Sequence, residues 1–338
     1  MNRPRNEFAD ALHDMLGAAE APAAARSWAD GDLAPGLALW GRLAGLGVTA
    51  LAVPEKWGGL GASAADLATA CEELGHHAVP GPAAESLAAV PALLSALDGM
   101  RSGEWLAALA TGDLIATLAM PPKLPFAADA EAAGLVLLAE PDAISVGRAG
   151  PRHRSVDPSR SLSVVTGADA LARTGAALVA DAFDLGALAC SAQLLGAGRA
   201  LLETSVRHAS ARAQFGQPVG TFQAVKHKLA DVAIALEFAR PLLDAAAAAI
   251  DADAGAPTVP RDVSAAKVGC ADAAALAARA ALQVHGAIGY TAEHDLSLWL
   301  TKVRALAPAW GSQAWHRRRV VAALATPPAA GPEAGRWA

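Results

Sequence analysis

The 338 residues are 54% hydrophobic but only 4% aromatic and 18% charged, which excludes a disordered chain, a disulfide scaffold and a collagen-like chain. Alanine supplies about a quarter of the sequence, while β-branched and aromatic residues are scarce, so helix is favoured and an all-β fold disfavoured. The net charge of −6 offers no basic field for nucleic acid.

The three cysteines, Cys71, Cys190 and Cys270, lie far apart in Ala/Leu-rich surroundings without CxxC spacing. They read as small buried hydrophobes in a reducing compartment. The N-terminal MNRPRNEFADALHDML has no uninterrupted apolar core, which argues against a signal peptide. No stretch of about 18 residues is free of charges and turn residues, so no transmembrane helix is predicted. A cytoplasmic location is the expectation.

The chain divides into an N-terminal helical domain (1–111), a small strand-rich insert (112–183), a C-terminal four-helix bundle (184–326) and a loose tail (327–338). Within the first part, breaks are predicted at Pro35-Gly36, at 54–61 and at 79–82. The run DLATACEELG (66–75) repeats apolar residues at helical spacing and ends in Gly. In the insert, LIATLAM, AAGLVLLAE, AISVG, LSVVTG and AALVA are short runs divided by Pro, Gly and Asp, the pattern of strands and turns. Long helices are predicted over about 184–213, 221–253, 258–285 and 293–325, joined by GQPVG, DADAGAP and HGAIGYT; their length and short links suggest an antiparallel bundle.

Two runs stand out. In RAQFGQPVGTFQ (212–223), Gly216 and Gly220 make a turn and Thr221 is a plausible N-cap, which is a sufficient structural role. The density of Arg212, Gln214 and Gln223 around Phe215 also suits an anion, because a guanidinium beside an open helix N-terminus can hold a pyrophosphate. In QVHGAIGYT (283–291), Gly286 stops a helix and His285 complements its dipole. Alternatively, exposed backbone N–H groups and the Gln283 amide could face a nucleotide.

Together the two runs resemble the acyl-CoA dehydrogenase family, whose C-terminal bundle carries R-x-x-F-G…F-Q followed by Q-x-x-G-G-x-G. WGRLAGLGVTALAVPEKWGGLG (40–61), CEELG (71–75) and VDPSR (156–160) match further family segments in the expected order. The resemblance implies a fold that is mainly α with a small β insert: N-terminal helical domain, reduced middle β domain and C-terminal four-helix bundle. It also implies FAD. Arg212, Gln214, Phe215, Gln223, Gln283 and Gly286 match groups that hold the pyrophosphate and adenine half of that cofactor, largely across a subunit interface. Ala287 stands where the family usually has a second Gly.

The family's reaction removes a proton α to a thioester while a hydride leaves the β carbon, so it needs a base, normally a carboxylate. The two places where members put it match Trp310 and Gly186, and neither is a carboxylate. Asp184 is two residues from the second place but on another helix face; it reads as a cap or dipole partner. Glu203 and Glu293 read as solvated or salt-bridged. In the insert, LAEPD (138–142) is the nearest match to the family's T-E-P-x-x-G-S-D and lacks its Gly-Ser-Asp, so a complete flavin-ring pocket is not expected.

Metal binding is not expected, since His76-His77, His208 and His227 lack ligand spacing with a third group. Arg317-Arg318-Arg319 reads as a solvated face or inter-subunit salt bridge rather than a CoA phosphate clamp. The resemblance therefore points to a subunit without its own base, completing a homologous full-length partner, as in the heteromeric α2β2 enzymes of actinobacterial steroid side-chain breakdown. Two alternatives stay open: a self-sufficient homo-oligomeric dehydrogenase or flavin monooxygenase with a displaced base, and a non-redox scaffold. The acyl group and electron acceptor are not readable from the sequence.

Overall fold

The computed structural model describes residues 7–97, 99–291 and 294–325; Glu293 and the predicted tail lie outside them. The N-terminal part comprises α1 (Glu7–Ala18), α2 (Ala21–Ala29), α3 (Ala34–Gly45), α4 (Ala64–His76), α5 (Val90–Ser95) and α6 (Met100–Thr111). A π-helical turn, Glu85–Ala89, leads into α5. Pro35 lies in the first turn of α3 and so begins a helix where a break was predicted; its missing N–H costs nothing there. Helix α4 opens on a capping box: the Ser63 hydroxyl accepts from Asp66 N–H at 3.1 Å, and Asp66 reaches back to the Ser63 N–H.

The middle of the chain forms β1 (Ala116–Ala119), β2 (Phe126–Ala128), β3 (Leu135–Glu140), β4 (Ala143–Arg154) and β5 (Ser161–Arg173). They make one sheet in the order β1-β3-β4-β5-β2, with β1 parallel to β3 and the other pairs antiparallel. The segment LAEPD ends β3 and turns through Pro141 and Asp142, since Glu140 pairs with Ala143. Asp142 is bound there to exposed Arg173 at 2.7 Å. AALVA (176–180), predicted as a strand run, instead opens a helix. Its alanines favour that state, and no neighbouring strand competes for the segment.

That helix, α7 (Ala176–Ala211), starts eight residues before the predicted 184. A two-residue-strand hairpin, β6 (Ala213–Gln214) and β7 (Gln217–Pro218), leads to α8 (Gln223–Ala252), α9 (Val259–His285), α10 (Leu296–Leu306) and α11 (Gln313–Ala325). The predicted helix over 293–325 is thus two helices. Pro308 cannot continue the ladder, and Trp310 and Gly311 turn the chain at φ 58° and 95°. By length and apolar composition α7 could cross a membrane, against expectation, but 72% of its apolar window is buried inside the protein. It is the shared inner helix, packed on α4, α8, α9 and α10.

Helices α4 and α7 cross at backbone contact. A Cβ on Gly75 would lie 2.0 Å from the Gln193 carbonyl oxygen, and one on Gly196 would lie 1.8 Å from that of Glu72. A buried ionic cluster flanks the crossing. Glu72 accepts from Arg199 and from both terminal nitrogens of Arg240, and Glu73 accepts from Arg199 at 3.2 Å. Removing one member would strand a buried charge, a loss of about 3–5 kcal/mol.

Gly196→Ala should therefore lower stability by about 1–3 kcal/mol in urea melts, because backbone must move. Gly41→Ala in α3, where an added Cβ meets nothing within 4 Å, should be neutral or stabilising by up to about 1 kcal/mol.

Candidate functional site

Trp310 and Gly186, the two positions that the resemblance aligns with a base, meet in space. Gly186 faces inward from α7, and a Cβ there would lie 2.3 Å from Cη2 and Cζ3 of Trp310. The indole is 1% exposed and fills the place above the glycine. Its turn is held from α9: the Lys267 ammonium donates to the Leu306 and Ala307 carbonyls at 3.2 and 2.8 Å, taking the last orphan acceptors of α10. The His316 ring donates from Nε2 to the Trp310 carbonyl at 2.8 Å, and its Nδ1 accepts from Ser264 at 3.0 Å. Burial pushes the His316 pKa down to about 4, so the ring is neutral at physiological pH. Phe183 packs on both Trp310 and Trp315, with centroids 5.7 and 5.6 Å away. An aromatic plug therefore occupies this site.

Asp184 is neither a cap nor a free base. It lies buried more than two turns inside α7, with Arg319 bound across its carboxylate, one contact at 2.7 Å. Arg317 pairs with Asp272 at 2.6 Å, so two of the three consecutive arginines make intrachain pairs in place of the expected solvated or inter-subunit role. Arg318 is exposed. Glu203 is salt-bridged to His76 at 2.9 Å. His227 is exposed on α8.

Sequence reasoning missed the carboxylates under the plug. Glu85, on the π-helical turn, is 4% exposed and lines one small cavity with Trp310. Burial raises its pKa, and the Arg160 guanidinium, 3.9 Å away, partly offsets this. Asp129 is 1% exposed and is pushed up to about 7, chiefly by burial. Glu85, Asp129, Arg160, Lys302 and Trp310 line a cavity of about 20 Å³, room for a water and not for an acyl chain. The signal was a lone Glu in the apolar run PAAESLAAVPALL (82–94), a charge where helical spacing places core.

The other candidates gather at one end of the bundle. Arg212 ends α7, and Phe215 and Gly216 form the β6–β7 turn with φ 52° and 80°, the doubly positive pattern of a type I′ turn. Thr221 donates to the Pro218 carbonyl at 2.7 Å and does not cap α8, whose N-cap is Phe222. Gln223 starts that helix. Arg212, Gln214, Phe215 and Gln223 are all exposed, Phe215 at 90%. Gln283 and Gly286 are exposed at the end of α9. The rings of His208 and His285 stack at 4.2 Å and bring the two helix ends together. Both imidazoles have lowered pKa values, first from burial and also from neighbouring positive charge.

This ledge fits the anionic half of a dinucleotide. The Arg212 guanidinium has no hydrogen-bond or ion-pair partner among the described residues, the start of α8 follows the hairpin as a helix N-terminus of the kind that suits an anion, and a Cβ on Gly286 would meet nothing within 4 Å.

Gly186→Ala should cost about 1–3 kcal/mol by overpacking and Trp310→Ala about 3–5 kcal/mol by cavity formation. In the double variant the penalty at 186 should largely vanish, a coupling measurable by urea melts. For Asp129, the raised folded pKa means that the native state holds a proton the unfolded chain has released between about pH 4 and 7. Its contribution therefore falls as pH rises through that window. Asp129→Asn, which keeps the acceptor for Ser161 N–H, should gain stability over the parent by at most about 1.4 kcal/mol per pH unit there.

Known proteins give this geometry a family. The family model described as "Acyl-CoA dehydrogenase, N-terminal domain" matches residues 4–113, and "Acyl-CoA dehydrogenase, C-terminal domain" matches 173–325. The acyl-CoA dehydrogenase IpdE2 of Mycobacterium tuberculosis is 31% identical over 284 residues, covering 83% of this chain and 85% of that protein. Among solved structures, the ChsE4-ChsE5 complex from M. tuberculosis is similar with a TM-score of 0.81 at 22% identity, over 97% of this chain and 100% of that one. A variant named as the Tcur3481-Tcur3483 steroid ACAD is similar at 0.81 and 21%, over 94% and 97%. With both terminal domains matched and a relative of this identity spanning most of its length, the chain is a member of the acyl-CoA dehydrogenase family of oxidoreductases.

Proposed function

We propose that this chain is a catalytically incomplete subunit of an FAD-dependent acyl-CoA dehydrogenase, completed by a homologous full-length partner. The observation that carries the reading is the plug: Trp310 packs on Gly186 at the two positions where a base would stand. When bound, FAD would supply the acceptor for a hydride leaving the β carbon of the thioester, and a carboxylate would be needed for the α proton. The residues of this chain bind and orient. Arg212 offers its guanidinium to the pyrophosphate, Gln214, Gln223 and Gln283 offer amides, and Phe215 offers a ring face. Gly286 leaves room for close approach. Because all six sit on the outer surface, they suit a cofactor whose flavin ring lies in the neighbouring subunit. The names of the steroid ACAD and the ChsE4-ChsE5 complex support a heteromeric enzyme for a bulky acyl-CoA.

A specific observation favours one rival: Glu85 is buried and lines the same cavity as Trp310 and could be a displaced base in a self-sufficient enzyme. The small cavity beside it weighs against substrate access.

The test is to purify the chain alone and co-expressed with a full-length homologue. Flavin should appear only in the complex, and acyl-CoA should bleach it there. Stoichiometric flavin in the isolated chain, bleached by acyl-CoA and insensitive to bleaching only in Glu85→Gln, would establish the rival. In the complex, Arg212→Ala should weaken FAD retention about tenfold or more, the loss of a charge-assisted contact; unchanged retention would remove Arg212 from the cofactor site.

A further inference from the structure

Away from the plug and the ledge, three imidazoles and a carboxylate converge where α1 meets the end of α4. Glu73 and His76 lie on the last turn of α4, His77 is its C-cap residue, and His13 comes from α1. One ligand atom from each lies within 4.8 Å of all the others. His13 Nδ1 is 2.8 Å from Glu73 Oε2 and 3.1 Å from His77 Nε2, and the last two atoms are 4.0 Å apart. The three ring centroids are 4.6 to 5.0 Å apart. Four-coordinate zinc with bonds of about 2.0–2.1 Å sets its ligand atoms about 3.3–3.4 Å from one another. The observed separations straddle that value.

The hydrogen-bonding pattern also points to a cation. His13 Nδ1 faces both a carboxylate oxygen and a second imidazole nitrogen. His76 is 9% exposed, and its Nδ1 is buried with no hydrogen-bond partner. Its Nε2 is engaged by Glu203 at 2.9 Å, which leaves Nδ1 as the lone pair available to a ligand. This is the carboxylate–imidazole arrangement that orients metal-bound histidines. The other oxygen of Glu73 is held by Arg199 at 3.2 Å, so that ligand too is fixed from behind.

We propose that His13, Glu73, His76 and His77 form a binding site for one divalent first-row ion. Three imidazoles and a carboxylate in tetrahedral spacing select zinc. Four protein ligands close the coordination shell, so the ion is structural: it fastens α1 to the same end of α4 that is anchored on α7. The site is independent of the flavin reading. The histidine pair alone lacked a third ligand in sequence because His13 stands 60 residues from Glu73.

The test is to titrate the metal-stripped full-length chain with zinc in a calorimeter and with cobalt in a spectrophotometer. One ion per chain, the intense visible bands of four-coordinate cobalt and a raised thermal midpoint are expected. His13→Ala and His77→Ala should each weaken binding by at least tenfold. Glu203→Gln, which loosens the partner of His76, should weaken it by about tenfold. His227→Ala, on the exposed face of α8, should bind as the parent does. Because His13 is partly exposed, its variant should keep the helical circular dichroism of the metal-free parent; if it does not, His13→Asn replaces it. Absence of stoichiometric binding, a six-coordinate cobalt spectrum, or unchanged affinity in both histidine variants would overturn the site.

Discussion

The whole molecule depends on one close crossing. Helix α7 can serve the N-terminal helices and the bundle together only because α4 reaches it at backbone distance, with glycine on both sides of the contact. At that separation no side chain cushions the helices, and dispersion and carbonyl contacts replace interdigitated methyl groups. Orientation then comes from the ionic cluster beside the crossing, where Glu72 is shared between Arg199 of α7 and Arg240 of α8. The five residues CEELG thus divide their work. Cys71 fills core, Glu72 and Glu73 set direction, and Gly75 sets distance.

Everything at the site inherits its position from α7. Gly186 and Phe183 pack on Trp310, Asp184 binds Arg319 of α11, and Arg212 at the far end of the helix carries the hairpin ledge. These two regions are joined by one rigid rod of 36 residues, about 54 Å long at 1.5 Å per residue. A rod of that length separates a packed interior from an open surface. The same helix therefore carries a region filled by aromatic rings and one whose polar groups are exposed.

Much of this was legible in the sequence. The helical pattern gave α8 and α9 to within two residues, since Gly, Pro and Asp mark their ends and long Ala-rich periods fill them. The Trp310 and Gly186 positions could be read one by one, but not that they touch, because 124 residues of chain separate them and no local pattern encodes the contact. The start of α7 was misplaced because AALVA is equally good as a short apolar strand, and only its packing decides. Asp184 and Arg319 were misjudged for a related reason. A charge near a predicted helix start reads as a cap, yet the helix began earlier and turned that charge inward. Glu85 went unremarked because a single acid in an apolar helix gives no spacing to argue from.

The contact between Trp310 and Gly186 also limits what can replace either residue. An indole that fills a cavity and bends the chain at positive φ is part of the core. A carboxylate placed at 310 would have to refill the space over the glycine and house a second negative charge near the buried Glu85. No single substitution does this without passing through a less stable protein. Packing here works as a lock, since neither residue can change size without the other.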